Sequence, residues 1–145
     1  MNFTAKTLVA GLFLFAGAAM ATEATDPDVI ARETLMKTIG MNTKVLGEMA
    51  GGKMEFDATK AAQAKAALIA ASADIKAKFT AQATDPVSEA KPEIWTNWDE
   101  FLKKGMALNA AATALDVASV EAIGAGMAGV GGACKDCHTT FRVQK

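Results

Sequence analysis

Apolar side chains recur at alternating intervals of three and four residues in four separate stretches of this sequence. The first stretch places Val29, Met36 and Ile39 on one stripe, and the fourth places Ile123 and Val130 on another. This spacing is typical of amphipathic helices, and alternating β-strand patterns are almost absent. Four such helices joined by short loops predict an all-α fold, an antiparallel up-down four-helix bundle.

Capping and breaking residues indicate where these helices begin and end. Asp26 followed by Pro27 is typical of a helix start, and Gly51-Gly52 is typical of a helix end. Asp57 predicts the second start. The predicted helices cover residues 26–49, 57–82, 92–115, and 116 or 119 to about 141.

The first 21 residues have the layout of a secretory signal peptide. An apolar run from Leu8 to Phe15 follows the single charge of Lys6, and small residues lead to a cleavage site after Ala21. The alternative is an N-terminal membrane anchor, but the run is shorter than the ~20 residues needed to span a bilayer. We therefore expect residues 22–145 to form one exported domain, with the periplasm as its location.

Charge excludes two classes of partner for the mature chain. Removing Lys6 from the 15 basic residues leaves 14 of them against 16 acidic ones, and the bases are dispersed. The sequence therefore has no cluster of lysine and arginine residues of the kind that binds nucleic acid or an anionic membrane. No later segment is long and apolar enough to cross a bilayer, so we expect a protein that is not membrane-embedded.

The segment "GGACKDCHTTFR" (131–142) contains both cysteines of the chain and its only histidine. On a helix, Cys134, Cys137 and His138 project from one face, because Cys137 and His138 lie about 60° and about 40° to either side of Cys134. C-x-x-C-H is the covalent attachment motif of c-type haem. It predicts one haem c per chain, with His138 as the axial iron ligand.

Three other interpretations of the cysteine pair are weaker. A disulfide between Cys134 and Cys137 would close a very small loop and stabilise the fold little. A thioredoxin-like redox motif belongs beside a βαβ pattern, which this sequence lacks. A structural zinc site needs four ligands, so a carboxylate would have to join the two cysteines and His138.

The chain resembles the class II cytochromes c, the family that includes cytochrome c′. The resemblance depends on "CKDCHTTFR" (134–142) at the far C-terminal end, with support from "KPEIW" (91–95) and "IARETLMKTIG" (30–40). It covers essentially the whole mature chain. Members are often dimers built on their first two helices, so a homodimer is compatible with the resemblance.

The resemblance implies roles for two residues of the first helix. An arginine at the position of Arg32 contacts a haem propionate in the family, and the residue four further on lies over the iron. Here that residue is Met36, whose thioether can ligate iron, and this implies a low-spin, His/Met-ligated cytochrome that transfers single electrons. The alternatives are that Met36 is a core filler, and that the iron is five-coordinate, high-spin and binds nitric oxide or another diatomic gas.

The remaining expectations concern the proximal side and the partners. Arg142 matches a family arginine that lies on the proximal side, where its positive charge could tune the imidazole of His138 and the potential of the iron. The alternative is that this charge simply stabilises the C-terminus of the helix. Scattered lysines at 103, 104, 135 and 145 are candidates for docking a redox partner protein. No distal histidine is available for a peroxidase, because His138 is the only one, so we expect no enzymatic activity.

Overall fold

The structure, a computed structural model, describes residues 23–144 of the chain. The predicted signal peptide lies outside these residues. The elements are α1 (Pro27–Ala50), α2 (Ala58–Ala73), α3 (Ile75–Lys78), α4 (Glu93–Thr96), α5 (Trp98–Ala114) and α6 (Val120–Phe141). In the described part of the chain, no helix is long and apolar enough to cross a membrane.

The four long helices form the predicted antiparallel bundle. Helix α1 packs against α2 and α6, and α5 packs against the same two helices, so the four surround one core. The diagonal pairs α1–α5 and α2–α6 do not pack against each other in residues 23–144. The fold class predicted from the apolar spacing is therefore confirmed.

Side-chain caps start three of the long helices, two at the predicted residues and the third at Ser119, one of the two predicted starts. The carboxylate of Asp26 accepts hydrogen bonds from the backbone N–H groups of Asp28 and Val29, at 2.9 and 3.1 Å. Asp57 accepts from Lys60 at 2.9 Å, and Ser119 accepts from Ala122 at 3.2 Å. These bonds satisfy N–H groups that have no partner inside a helix.

Two of the predicted helices are interrupted. The second was expected to run from 57 to about 82, but α2 ends at Ala73 and the short α3 follows the break at Asp74. The third was expected to be continuous from Pro92, but Asn97 leaves the helical region (φ −121°, ψ 48°) between α4 and α5. The indole N–H of Trp95 donates to the carbonyl oxygen of Phe79 at 2.8 Å, and this bond ties α4 to the end of α3. Apolar residues continue at intervals of three and four residues across both breaks, so the sequence pattern did not predict either of them.

The chain between α3 and α4, residues 79–92, crosses the end of the bundle near the C-terminus of α6. We call residues 83–90 of this chain the strap. Arg32 donates to Ala83 at 2.8 Å, and the backbone N–H of Val143 donates to Glu89 at 2.8 Å. The strap is thus tied both to α1 and to the segment that follows α6.

Candidate functional site

The side chains of Cys134, Cys137 and His138 project from the last turns of α6 toward the bundle interior. All three residues are half-buried, and the two cysteines are free thiols that are not joined by a disulfide. The predicted helical spacing of the motif therefore places both sulfurs and the imidazole on the inner side of α6.

Two neighbouring cavities adjoin this face of α6. The first has a volume of about 470 Å³ and lies between α1, α6 and the strap. The second has a volume of about 330 Å³ and lies between α1, α5 and α6. Both are lined by Met36, Cys137 and His138, so the two volumes meet at these three side chains. Cys134 lines the second cavity.

Met36 lies on α1, across the cavities from His138 on α6. Among the described residues that line either cavity, it is the one methionine. Met41 and Met106 are 62% and 65% exposed, and Met127 packs near Gly47 further along the bundle. The structure thus brings Met36 to the same space as His138 and leaves these three methionines elsewhere.

Arg32 lies one turn before Met36 and is almost fully buried. Its Nη2 donates to the carbonyl oxygen of Ala83 and its Nε to that of Asp28, at 2.8 and 3.3 Å. Its guanidinium carbon lies 5.1 Å from the ring centroid of Trp95 and 5.6 Å from that of Phe79. Its Nη1 is buried without a hydrogen-bond partner.

The unpaired Nη1 of Arg32 indicates which chemical group the first cavity could bind. Burial lowers the pKa of Arg32, and the nearby carboxylates of Asp26 and Asp28 oppose that shift, yet a guanidinium remains charged in proteins. A buried charged donor without an acceptor is costly. Because Arg32 lines the first cavity, a carboxylate such as a haem propionate would supply the acceptor that this nitrogen lacks.

Arg142 lines the first cavity beside His138, and its guanidinium forms an ion pair with Glu89 of the strap. Its backbone N–H also donates to the carbonyl oxygen of His138 at 3.1 Å, which ends α6. Burial lowers the pKa of His138; the charge of Arg142 lowers it further, and Glu89 opposes this. Arg142 therefore lies near His138 together with the carboxylate of Glu89, which the sequence did not reveal.

The two cysteines do not have the environment of a redox-active pair. Burial raises the pKa of Cys137 to about 11, with Lys104 opposing the shift, and burial also raises the pKa of Cys134. Reactive cysteines have lowered pKa values, because the thiolate is the nucleophile. Nor does any cluster of three histidine, cysteine or acidic side chains suited to a metal ion occur in residues 23–144. The redox and zinc interpretations are both weakened.

Several lining residues were not found from the sequence. The strap residues Val87, Ser88 and Glu89 line the first cavity, and Lys104 lines the second. Thr43, also on the second cavity, has a buried hydroxyl without a partner. None of these residues belongs to a motif, and only the packing of distant segments brings them to the site.

Comparison with known proteins decides the family. A family model described as Cytochrome C′ matches residues 28–142. The chain belongs to the cytochrome c′ family. The resemblance predicted from "CKDCHTTFR" and its two supporting segments is thereby confirmed.

Two curated relatives and one solved structure illustrate this membership. Cytochrome c′ of Cereibacter sphaeroides is 34% identical over 146 residues, covering 96% of this chain and 95% of its own. Cytochrome c-556 of Agrobacterium fabrum is 35% identical over 150 residues, with 97% of each chain covered. The structure of cytochrome c′ from Rhodopseudomonas palustris superposes with a TM-score of 0.76 at 31% identity, over 83% of this chain and 99% of the other.

Members of the cytochrome c′ family bind haem c, and they carry electrons or bind gases rather than acting as typical enzymes. The residues of this chain fit such a group. The inner face of α6 presents two thiols and an imidazole, and across the cavities α1 presents a thioether and an unpaired guanidinium nitrogen.

Proposed function

We propose that this protein is an exported monohaem cytochrome that transfers single electrons, with His138 and Met36 as its two axial ligands. Haem c supplies a one-electron ferric/ferrous couple when bound. The observation that carries the proposal is that Met36 and His138, from opposite helices, line both cavities.

Attachment is assigned to Cys134 and Cys137. Both thiols are free and half-buried, and each lines at least one of the cavities. Two thioether bonds from one helical face would hold the edge of a macrocycle, and His138, the next residue, would present a ring nitrogen to its centre.

Met36 would fill the remaining axial position. A methionine opposite a histidine raises the reduction potential of a haem protein relative to other ligations, which suits an electron carrier. A filled position also keeps small gases away from the metal. Arg32 would orient the group by donating from Nη1 to a propionate, while its bonds to Ala83 and Asp28 hold the guanidinium in place.

The alternative function is the capture of nitric oxide or another diatomic gas at a five-coordinate iron. The comparisons support this alternative better than electron transfer, because cytochrome c′ is the name of the Cereibacter sphaeroides relative and of the Rhodopseudomonas palustris structure. In that case Met36 would line the distal cavity without acting as a ligand. The placement of Met36 opposite His138 is the reason that we put electron transfer first.

Optical spectra of the purified protein distinguish the two functions. We expect a sharp α band in the reduced form, and a methionine–iron charge-transfer absorption in the oxidised form. Met36→Ala should then convert a six-coordinate spectrum to a five-coordinate one. The matched control is Met41→Ala, on the same helix but 62% exposed, which should leave the spectrum unchanged. Broad high-spin bands in the unaltered protein, with rapid carbon monoxide binding, would instead establish the gas-binding function.

Export and attachment are tested together by mass spectrometry of the protein from cell fractions. We expect a periplasmic protein whose mass equals residues 22–145 plus one haem. Replacing Cys134 and Cys137 together by serine should remove the added mass. A colourless protein with the mass of the bare polypeptide would contradict the assignment of the motif.

A further inference from the structure

Lys104 is the most enclosed of the lysines that form ion pairs in the described chain. Its side chain is 13% exposed, whereas those of Lys37, Lys44 and Lys78 are 73%, 72% and 44% exposed. Its side chain therefore packs along the bundle surface instead of extending freely into solvent. This differs from the sequence-based suggestion that it belongs to a patch of docking lysines.

Two carboxylates hold the ammonium group of Lys104. Its Nζ donates to Oδ2 of Asp136 at 2.6 Å and lies 3.4 Å from Oε1 of Glu100. Glu100 is on α5, one turn before Lys104, whereas Asp136 is on α6 between the two cysteines of the motif. The short bond therefore joins α5 directly to the attachment segment.

The same lysine lines the second cavity. It shares that lining with Cys134, Cys137 and His138. Its two carboxylate partners do not line either cavity, and their side chains are more exposed, at 51% for Glu100 and 66% for Asp136. Of these three charged side chains, that of Lys104 is therefore the one that lines a cavity.

We propose that Lys104 is a positioning residue of the haem site. Its positive charge raises the reduction potential of the bound iron, and the negative charges of Asp136 and Glu100 reduce this effect. This inference rests on the proposed attachment of haem to Cys134 and Cys137. It holds whether Met36 is a ligand or not, because it concerns the side of the site formed by α5 and α6.

The sign follows from Coulomb's law. Reduction adds one electron to the iron and so lowers its positive charge by one unit. A cation close to the cavity repels the ferric state more than the ferrous state, which favours reduction, and a nearby carboxylate has the opposite effect.

The test is a redox titration of the complete haem-loaded protein and three variants. Lys104→Met removes the charge and keeps an unbranched side chain, and Asp136→Asn removes the partner charge within the motif. Lys103→Met is the matched control, because Lys103 is the neighbouring lysine of α5 and is exposed. Haem content and the absorption spectrum are measured first, so that a failure of haem attachment is recognised separately.

We expect shifts of opposite sign. At a fixed applied potential, Lys104→Met should raise the ratio of oxidised to reduced protein severalfold, and Asp136→Asn should lower it. Lys103→Met should change it little. Shifts of the same sign in both variants, or a Lys104→Met shift no larger than that of Lys103→Met, would contradict the proposal and leave a purely structural ion pair.

Glu100→Gln provides a second carboxylate variant outside the attachment motif. It replaces Asp136→Asn in the comparison if that variant is not loaded with haem. It should shift the ratio in the same direction by a smaller amount, because Asp136 lies between the two attachment cysteines and Glu100 lies on the neighbouring helix α5. A shift toward the oxidised form in Glu100→Gln would also overturn the assignment.

Discussion

The two ends of this bundle are built differently. At one end, which we call the closed end, Leu46, Met49, Ala61, Leu115 and Ile123 are at most 1% exposed. At the other, the site end, the two cavities of about 470 and 330 Å³ lie between the helices. The same four helices thus form a close-packed core at one end and ligand-sized spaces at the other.

The difference shows how one bundle combines stability with a binding site. At the closed end, small residues let neighbouring segments pack closely; Gly126, for example, lies directly against the side chain of Leu115. At the site end, the inner positions carry Met36, His138 and the two cysteines, and the strap covers the cavity from the side. We therefore expect substitutions at the closed end to change the stability of the fold, and substitutions at the site end to change the spectrum and the potential.

The largest effect on stability is expected for Leu46→Ala. Leu46 has no exposed surface, and truncating a fully buried leucine costs about 2–5 kcal/mol of unfolding free energy. The spectrum of the folded protein should remain that of the unaltered protein. Denaturant unfolding, followed at a helical and at a haem wavelength, measures both. A changed spectrum in Leu46→Ala would show that the two ends are not independent.

A smaller loss is expected for Gly126→Ala. A Cβ atom at this position would overlap Cδ1 of Leu115, which is 1% exposed and has little room to move. Overpacking of this kind costs about 1–3 kcal/mol. The control is Gly124→Ala on the same helix, where nothing lies within 4 Å of the added atom; replacing a glycine inside a helix by alanine stabilises by about 0.5–1 kcal/mol. Equal changes in melting temperature for the two variants would contradict close packing at the closed end.

The smallest effect is expected at Asp85 of the strap. Its carboxylate accepts from the N–H and hydroxyl of Thr25 at 2.8 and 3.1 Å, from the N–H of Asp26 at 3.2 Å and from that of Val87 at 3.1 Å. Hydrogen bonds from Thr25 and Val87 are the main reason that its pKa is lowered to about 2.

A lowered carboxyl pKa stabilises the fold above the unfolded pKa, which is about 3.9 for aspartate, and this contribution is lost as the pH falls toward 2. Asp85→Asn should therefore lose part of the dependence of stability on pH between about 4 and 2. The measurement is the melting temperature across this range, with the exposed Asp99→Asn as control. An identical pH profile for Asp85→Asn and the unaltered protein would show that this contact does not hold the strap.

The parts of the molecule that were predicted depend on short-range patterns. The caps at Asp26 and Asp57 need only neighbouring residues, and the structure confirms them. Of the two predicted starts of the fourth helix, Asp116 and Ser119, the structure selects Ser119. The attachment motif lies within five residues. The breaks at Asp74 and Asn97 were not predicted, because the apolar spacing of three and four residues runs through both.

The sequence alone determined the helical class, the four inner stripes and the motif that identifies a c-type cytochrome. Only the tertiary structure decided that Met36 shares both cavities with His138, that Arg32 keeps one buried nitrogen unpaired, and that Lys104 is enclosed beside the attachment segment. The physical reason is the range of the interactions. Helix formation and spacing along a helix depend on residues a few positions apart, whereas burial and pairing depend on which distant helices and loops come into contact.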